Sequence, residues 1–100
     1  MWGKTISQGY CKYSLRLLSK EYAFIKWEPN VRSNIHGHNG KDCSFMILNG
    51  SMDEKIFHNI ENVKIRVHEP LKGAHINDNI GKHQMINKDN RPKYSLHYYY

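Results

Sequence analysis

The 100-residue chain has a formal net charge of +6, with 39% hydrophobic and 24% charged residues. These proportions and this length predict one folded domain and exclude a disordered segment. The Lys and Arg residues are scattered and form no recognition-helix or RNA-binding motif, so no nucleic-acid partner is expected. No apolar run approaches the roughly 20 residues of a membrane helix, and the first residues lack a signal-peptide pattern. We therefore expect a cytoplasmic protein without a membrane partner.

Alternating apolar and polar residues predict strands along nearly the whole chain. In chain order they are residues 12–18, 21–27, 35–38, 43–49, 54–60, 61–69, 74–77, 82–87 and 93–100. Turn residues separate them, among them two Asn-Gly pairs at 39–40 and 49–50. No stretch repeats apolar residues at helical spacing over three turns. The chain is therefore predicted to be a single all-β domain over 1–100, either a sandwich or a small barrel.

One predicted strand, "IHGH" at 35–38, carries two histidines two residues apart. In an extended strand, residues i and i+2 point to the same face, so His36 and His38 would form two corners of a metal site. The alternative is an ordinary pair of partly exposed histidines. A third ligand is needed to decide, and the spacing alone leaves five candidates: His58, His68, His75, His83 and His97.

The segment around these histidines resembles the first signature of the cupin superfamily. It reads His36-Gly-His38, four residues, Cys43, six residues, Gly50. The second cupin signature is similar to "GKHQMIN", which contains His83, although the glycine expected before the first signature and the proline of the second are absent. This resemblance implies a small cupin-type barrel, a jelly-roll-like double-stranded β-helix with few or no helices.

Cys43 stands where most cupins have a glutamate ligand, and this substitution resembles the cysteine dioxygenase family of thiol dioxygenases. Three segments carry the resemblance in the right order, over residues 34–99: "SNIHGHNGKDCSFMILNGSMDEKIF", "HINDNIGKHQMIN" and "YSLHYY". The resemblance implies a shortened form of the family, which we expect to lack an N-terminal helical portion and the part that follows residue 100 in a full-length cysteine dioxygenase.

The family's metal and cross-link residues can be carried over position by position. The resemblance implies that His36, His38 and His83 bind Fe(II). It also implies a possible thioether between Cys43 and Tyr99. Ser95 and His97 match the polar residues beside that tyrosine, and by strand alternation all three residues of 95, 97 and 99 share one face.

The substrate residues of the family lie in a Tyr-x-Arg stretch, and the counterpart chosen here is "YSLRLL". Tyr13 and Arg16 would then bind the substrate, with the guanidinium of Arg16 on the carboxylate. Two residues separate them instead of one, which places them on opposite faces of a regular strand unless a bulge intervenes.

The function implied by the resemblance is a non-haem iron thiol dioxygenase that adds O2 to the sulfur of a small thiol and yields a sulfinic acid. L-Cysteine is favoured, while mercaptopropionate, cysteamine and a peptide with an N-terminal cysteine stay open. A monomer is expected. The alternative from another class is a non-catalytic cupin that binds a ligand or a partner and retains the metal site. Hydrolysis by a bound zinc ion lacks a placed general base.

Overall fold

Ten strands form the regular structure of the computed structural model, which describes residues 2–7 and 9–100. They are β1 (Trp2–Ser7), β2 (Tyr10–Leu17), β3 (Lys20–Trp27), β4 (Val31–Arg32), β5 (Cys43–Ile47), β6 (Met52–Phe57), β7 (Val63–His68), β8 (Ala74–Ile76), β9 (Lys82–Asn87) and β10 (Lys93–Tyr99). All their ladders are antiparallel. The described residues contain no helix, so the predicted all-β class is confirmed.

The strands form two sheets with a shared core. The six-stranded sheet has the order β1-β2-β3-β10-β5-β8, and the four-stranded sheet has the order β4-β9-β6-β7. Every second residue of β5, β6 and β9 is buried, as expected for strands with one face against a core. Side chains from both sheets meet in one cluster that includes Ile25, Trp27, Phe45, Met52 and Met85.

The predicted hairpin of strands 12–18 and 21–27 is present as β2 and β3, which pair from Tyr10↔Trp27 to Leu17↔Lys20 without a bulge. The sequence pattern missed β1, which lies at the edge of the six-stranded sheet next to β2 and whose sequence "WGKTIS" mixes glycine with polar residues. It also missed the two-residue strand β4 inside a predicted loop.

The prediction of a strand over 35–38 is wrong. Only His36 takes part in a ladder, through an isolated bridge in which it exchanges two backbone hydrogen bonds of 3.0 Å with His83. The chain then curls around the Asp78 carboxylate, which accepts the backbone N–H groups of His38 and Gly40 at 2.7 Å each. Because the N–H groups of His38 and Gly40 are occupied by these bonds, they are not available for a β-ladder.

Gly81 fixes the approach of β9 to β6. Its φ of +144° is one that side-chain-bearing residues rarely adopt, and a Cβ atom there would lie 2.6 Å from the carbonyl oxygen of Phe57. The close approach starts the β6–β9 ladder, in which Ile56 pairs with His83. The third predicted metal ligand is therefore held on a strand in the interior of the fold.

Candidate metal centre

Three imidazoles converge at one point between the curled segment and β9. His36, His38 and His83 offer ring nitrogens that all lie within 4.8 Å of one another. His38 and His83 are buried, and His36 lies at the exposed rim. The ring centroids are 4.4 Å apart for His36 and His83, 4.7 Å for His38 and His83, and 5.4 Å for His36 and His38. The structure thus brings together the three histidines that the sequence predicted as ligands.

The hydrogen bonds of two of these rings leave their Nε2 lone pairs facing each other. His36 Nδ1 lies 2.8 Å from the carbonyl oxygen of Asn34, and His83 Nδ1 lies 2.7 Å from Oε2 of Glu54. A carbonyl and a carboxylate only accept, so both Nδ1 atoms donate. The two Nε2 atoms, 2.9 Å apart, then both carry lone pairs. Two lone pairs this close repel each other, and a cation bound between the two nitrogens would remove that repulsion.

The spacing also suits a metal ion. Two nitrogens bound at about 2.1 Å and at right angles to each other stand about 3 Å apart. His38 has an Nδ1 atom that is buried without a hydrogen-bond partner among the described residues. Burial, followed by the neighbouring imidazoles, lowers the pKa of His38 to about 4, and burial also lowers the pKa of His36. Neutral imidazoles are the form that binds metals, so this donor set fits a divalent ion.

A buried carboxylate behind His83 was missed by the sequence reasoning. Glu54 is 0% exposed. It accepts hydrogen bonds from His83 and His68 and forms an ion pair with Arg66. Burial alone raises the pKa of Glu54, but the bonds from the two histidines and the charge of Arg66 outweigh it and bring the pKa to about 2. An acidic residue at an inward position of the alternating strand "MDEKIF" was the available signal.

Cys43 and Tyr99 face each other across neighbouring strands. They are directly paired in the β5–β10 register, and the ring of Tyr99 stacks 6.0 Å from that of His38. Burial raises the pKa of Cys43 to about 12, and burial together with the adjacent Cys43 raises the pKa of Tyr99 above its usual value. Both groups therefore stay protonated at neutral pH.

Ser95 and His97 form a buried chain of hydrogen bonds that ends at Cys43. Trp27 Nε1 donates to Ser95 Oγ at 2.9 Å, and Ser95 Oγ lies 2.7 Å from His97 Nε2. His97 Nδ1 lies 3.9 Å from Cys43 Sγ, which completes the chain. Burial lowers the pKa of His97 to about 3, which keeps this imidazole neutral.

The two predicted substrate residues lie on opposite faces of β2. Tyr13 faces outward, is 43% exposed and does not line the cavity beside the histidines. Arg16 does line the mouth of that cavity, where its Nε lies 3.4 Å from Glu21, but its side chain is 70% exposed. Because β2 has no bulge, Tyr13 and Arg16, which have two residues between them, point to opposite faces, as strand alternation predicts. The structure does not bring Tyr13 to the site.

Tyr10 and Lys12 were missed, although they match the family's Tyr-x-Arg spacing better. They are two residues apart on the inner face of β2, and both line the cavity. Lys12 Nζ lies 4.6 Å from the centroid of the Tyr99 ring and 3.0 Å from Glu21 Oε2. The signal in the sequence was "YCK", in which lysine takes the place of arginine.

The cavity itself has a volume of about 530 Å³ and opens between β2, β3 and the curled segment. The metal-site histidines, His97 and Tyr99 line its inner end with Lys12 beside the Tyr99 ring, and the exposed cations Arg16 and Lys41 line its outer part. Glu21 also lines the cavity and pairs with Lys12 and Arg16, so a small anionic molecule entering it would meet three cations and one carboxylate on its way to the imidazoles.

Comparison with known proteins agrees with this geometry. The family model for cysteine dioxygenase type I matches residues 4–100. This chain belongs to the cysteine dioxygenase family. Cysteine dioxygenase type 1 of Homo sapiens and that of Pongo abelii are each 32% identical to it over 102 residues, which is 94% of this chain and 48% of the relative. The chain thus spans about half the length of the curated cysteine dioxygenases that it matches.

Solved structures similar to this member of the cysteine dioxygenase family show the fold. An oxalate oxidase superposes with a TM-score of 0.76 at 16% identity, covering 91% of this chain and 50% of that one. AerE from Microcystis aeruginosa gives 0.83 at 14% identity, covering 98% and 44%. A mutant of Bacillus subtilis oxalate decarboxylase gives 0.83 at 14% identity, covering 97% and 27%. The expected small cupin barrel is confirmed.

Proposed function

We propose that residues 1–100 form a single cupin domain that acts as a non-haem iron thiol dioxygenase, with L-cysteine as the favoured substrate. The observation that carries the proposal is the histidine triad, in which the Nε2 atoms of His36 and His83 face each other at 2.9 Å. Family membership over residues 4–100 supports the choice of reaction. The products would be sulfinic acids, in which both oxygen atoms of O2 are bound to sulfur.

The proposed cofactor is Fe(II), held by His36, His38 and His83. Bound there, iron supplies a position where thiol and dioxygen can be activated together. Three neutral imidazoles leave the positive charge of the ion uncompensated, unlike a site with two histidines and a carboxylate, so the donor set favours an anionic thiolate substrate. The buried His97 and the partly buried Tyr99 would limit the access of water to this end of the cavity.

The proposed carboxylate partner is Lys12, with Arg16 as the second candidate. Lys12 lies on the inner face of β2 next to the Tyr99 ring, whereas Arg16 is at the exposed mouth. A cation deep in the cavity interacts more strongly with a carboxylate, because it is screened less by water. Tyr13, which faces the other side of the sheet, is not part of this proposal.

A thioether between Cys43 and Tyr99 is part of the proposal. It is supported by their direct pairing across β5 and β10. The S–C bond would form with loss of the thiol hydrogen and one ring hydrogen. Dioxygen would accept the two electrons and two protons, which balances as hydrogen peroxide. The cross-link would fix the phenol beside the site, with Ser95 and His97 holding the sulfur side through their hydrogen bonds.

The test is anaerobic loading with Fe(II), followed by cysteine and oxygen, with sulfinate measured by mass spectrometry and oxygen uptake recorded in parallel. We expect one sulfinate per O2 consumed. His36→Ala should abolish both iron binding and turnover, because it removes one of the three ligands. His36 lies at the rim, so its loss should leave the core intact. His58→Ala, at an exposed histidine outside the site, is the matched control and should retain both. Turnover by His36→Ala would contradict the proposal.

The second candidate function is a non-catalytic cupin that binds a ligand or partner through a retained metal site. The observation in its favour is that Arg16, the cation expected on the substrate carboxylate, lies at the exposed mouth of the cavity and is paired with Glu21. Stoichiometric iron binding without sulfinate from any thiol of a panel containing cysteine, cysteamine and mercaptopropionate would support this function over the oxygenase.

A further inference from the structure

Glu54 is the one charged side chain with 0% exposure among the buried polar residues that the structure describes. Carboxylates are rarely buried without partners, and all the partners of this one are nitrogen donors. Oε2 accepts from His83 Nδ1 at 2.7 Å. Oε1 accepts from His68 Nε2 at 2.8 Å and from Arg66 Nε at 2.7 Å.

The strand order explains how this cluster assembles. β6 lies between β7 and β9 in the four-stranded sheet. Glu54 pairs with Arg66 on β7, and on the other side it pairs with Met85 on β9, two residues from His83. A one-residue change in the register of β6 would turn the carboxylate to the other face of the sheet. The contact with His83 is therefore built into the ladder.

The direction of the Glu54–His83 hydrogen bond determines which nitrogen of His83 is available to a metal. An ionised carboxylate cannot donate, so the proton of the imidazole lies on Nδ1, and the Nε2 lone pair points towards His36 Nε2. A carboxylate behind a ligating imidazole also increases the basicity of that ligand.

We propose that Glu54 is a positioning residue of the metal centre, which orients His83 and holds it in the tautomer whose Nε2 binds the ion. This inference rests on the proposed metal site. His68 and Arg66 occupy the other carboxylate oxygen, so they hold Glu54 in place, and neither forms a hydrogen bond with His83 among the described residues. The cluster therefore offers a variant that alters Glu54 itself and a matched variant that removes only a neighbour of Glu54.

The first experiment compares Glu54→Gln with His68→Gln. The amide of the first variant must use its oxygen for His68 and Arg66, which turns its NH2 group towards His83 Nδ1 and favours the wrong tautomer. We expect its affinity for Co²⁺, measured by competition with a chromogenic chelator, to fall about 10- to 100-fold. The His68→Gln protein keeps the carboxylate and should bind Co²⁺ as the wild type does. Thermal midpoints of both metal-free variants report the structural cost separately.

Equal losses of Co²⁺ affinity in the two variants, or wild-type affinity in Glu54→Gln, would overturn the proposal and leave Glu54 as a structural residue. The second measurement needs no variant. Long-range ¹H–¹⁵N NMR of the metal-free wild type should find the His83 proton on Nδ1, and a proton on Nε2 would overturn the inference even if Glu54→Gln fails to fold. A wild-type protein that binds no Co²⁺ would contradict the proposed metal site instead, and the NMR result would still decide the tautomer.

Discussion

Lys12 and Arg16 are cations on the same face of β2, but Lys12 lies deeper in the cavity than Arg16. Replacing each in turn tests which of them binds the substrate carboxylate. We predict that Lys12→Met raises the KM for cysteine by roughly 10- to 150-fold, which corresponds to about 1.5–3 kcal/mol for a charge-assisted hydrogen bond. The KM for cysteamine, which has no carboxylate, should hardly change. Steady-state kinetics with both thiols measure this.

Arg16→Met is the matched control, because it removes a cation from the same face at an exposed position. Exposed ion pairs contribute about 0–1 kcal/mol, so its KM for cysteine should change by no more than about 5-fold. A larger effect of Arg16→Met than of Lys12→Met would assign the carboxylate to Arg16. Equal losses for cysteine and cysteamine in either variant would point to folding.

Cys43 is the residue at which cross-linking can be separated from metal binding. We predict that wild-type protein becomes two hydrogen atoms lighter after turnover with cysteine, and that peptide mapping joins Cys43 to Tyr99. Cys43→Ala should fold, bind iron and retain partial activity, because Cys43 contacts the His97 imidazole and is not one of the three metal ligands. An active wild-type preparation with a free, alkylatable Cys43 would contradict the cross-link.

At the scale of elements, the curled segment depends on one carboxylate from the loop that precedes β9. Asp78 accepts the backbone N–H groups of His38 and Gly40, and these bonds lower its pKa. Asp78→Ala should therefore loosen the position of His38 and weaken Co²⁺ binding about 10-fold, in the range seen when a partner of a ligand is lost. The global fold should persist, because no core strand loses a ladder bond.

The control for this prediction is Asp89→Ala, which removes another exposed carboxylate with a lowered pKa, here paired with Lys93. It should leave the Co²⁺ affinity unchanged. Similar Co²⁺ affinities for Asp78→Ala and the wild type would show that the curled segment keeps its shape without Asp78.

For the whole molecule, the buried imidazoles predict acid sensitivity. His97 is 6% exposed, and burial lowers its pKa to about 3, whereas a histidine in the unfolded chain has a pKa of about 6.5. The unfolded state therefore binds one more proton between these values, and the free energy of unfolding falls as the pH drops below about 6.5. One such proton changes it by about 1.4 kcal/mol per pH unit.

Urea unfolding of the metal-free protein between about pH 6.5 and pH 4 measures this dependence. His38, with a pKa lowered to about 4, adds to the slope in the wild type. His97→Gln should lower the slope by close to one proton while reducing stability at neutral pH, because the chain from Ser95 to Cys43 is broken. The same slope in His97→Gln and wild type would mean that His97 is protonated in the folded state.

The outer face of the six-stranded sheet exposes several apolar side chains. Tyr13, Tyr22, Phe24 and Leu96 are exposed there and line an apolar groove of about 460 Å³.

Within the described residues, no helix has the length and hydropathy that crossing a membrane requires. The cytoplasmic location stays a prediction. So does the monomer, which light scattering over a range of concentrations would check; a dimer would contradict it.

Period-two alternation determined most of the strands from the sequence alone. The segments 12–18, 21–27, 43–49, 82–87 and 93–100 are strands within a few residues of their expected limits. Alternation is a local property of each segment, since it follows from burying one face of a strand, and turn residues mark where the segments end. The motif order likewise sufficed for the family, because it depends on residue identity and spacing.

The tertiary structure decided which side chains meet. His36 and His83 are 47 residues apart, and only the register of β9 against the curled segment places their Nε2 atoms 2.9 Å from each other. Alternation could not select His83 from five candidates, because it assigns a face and not a partner. It also put His36 and His38 together for the wrong reason, because the bridge to His83 places His36 while Asp78 holds the backbone of His38. The partners of Glu54 and Lys12 likewise come from strands distant in the sequence, because Glu54 meets His83 on β9 and Lys12 meets Tyr99 on β10.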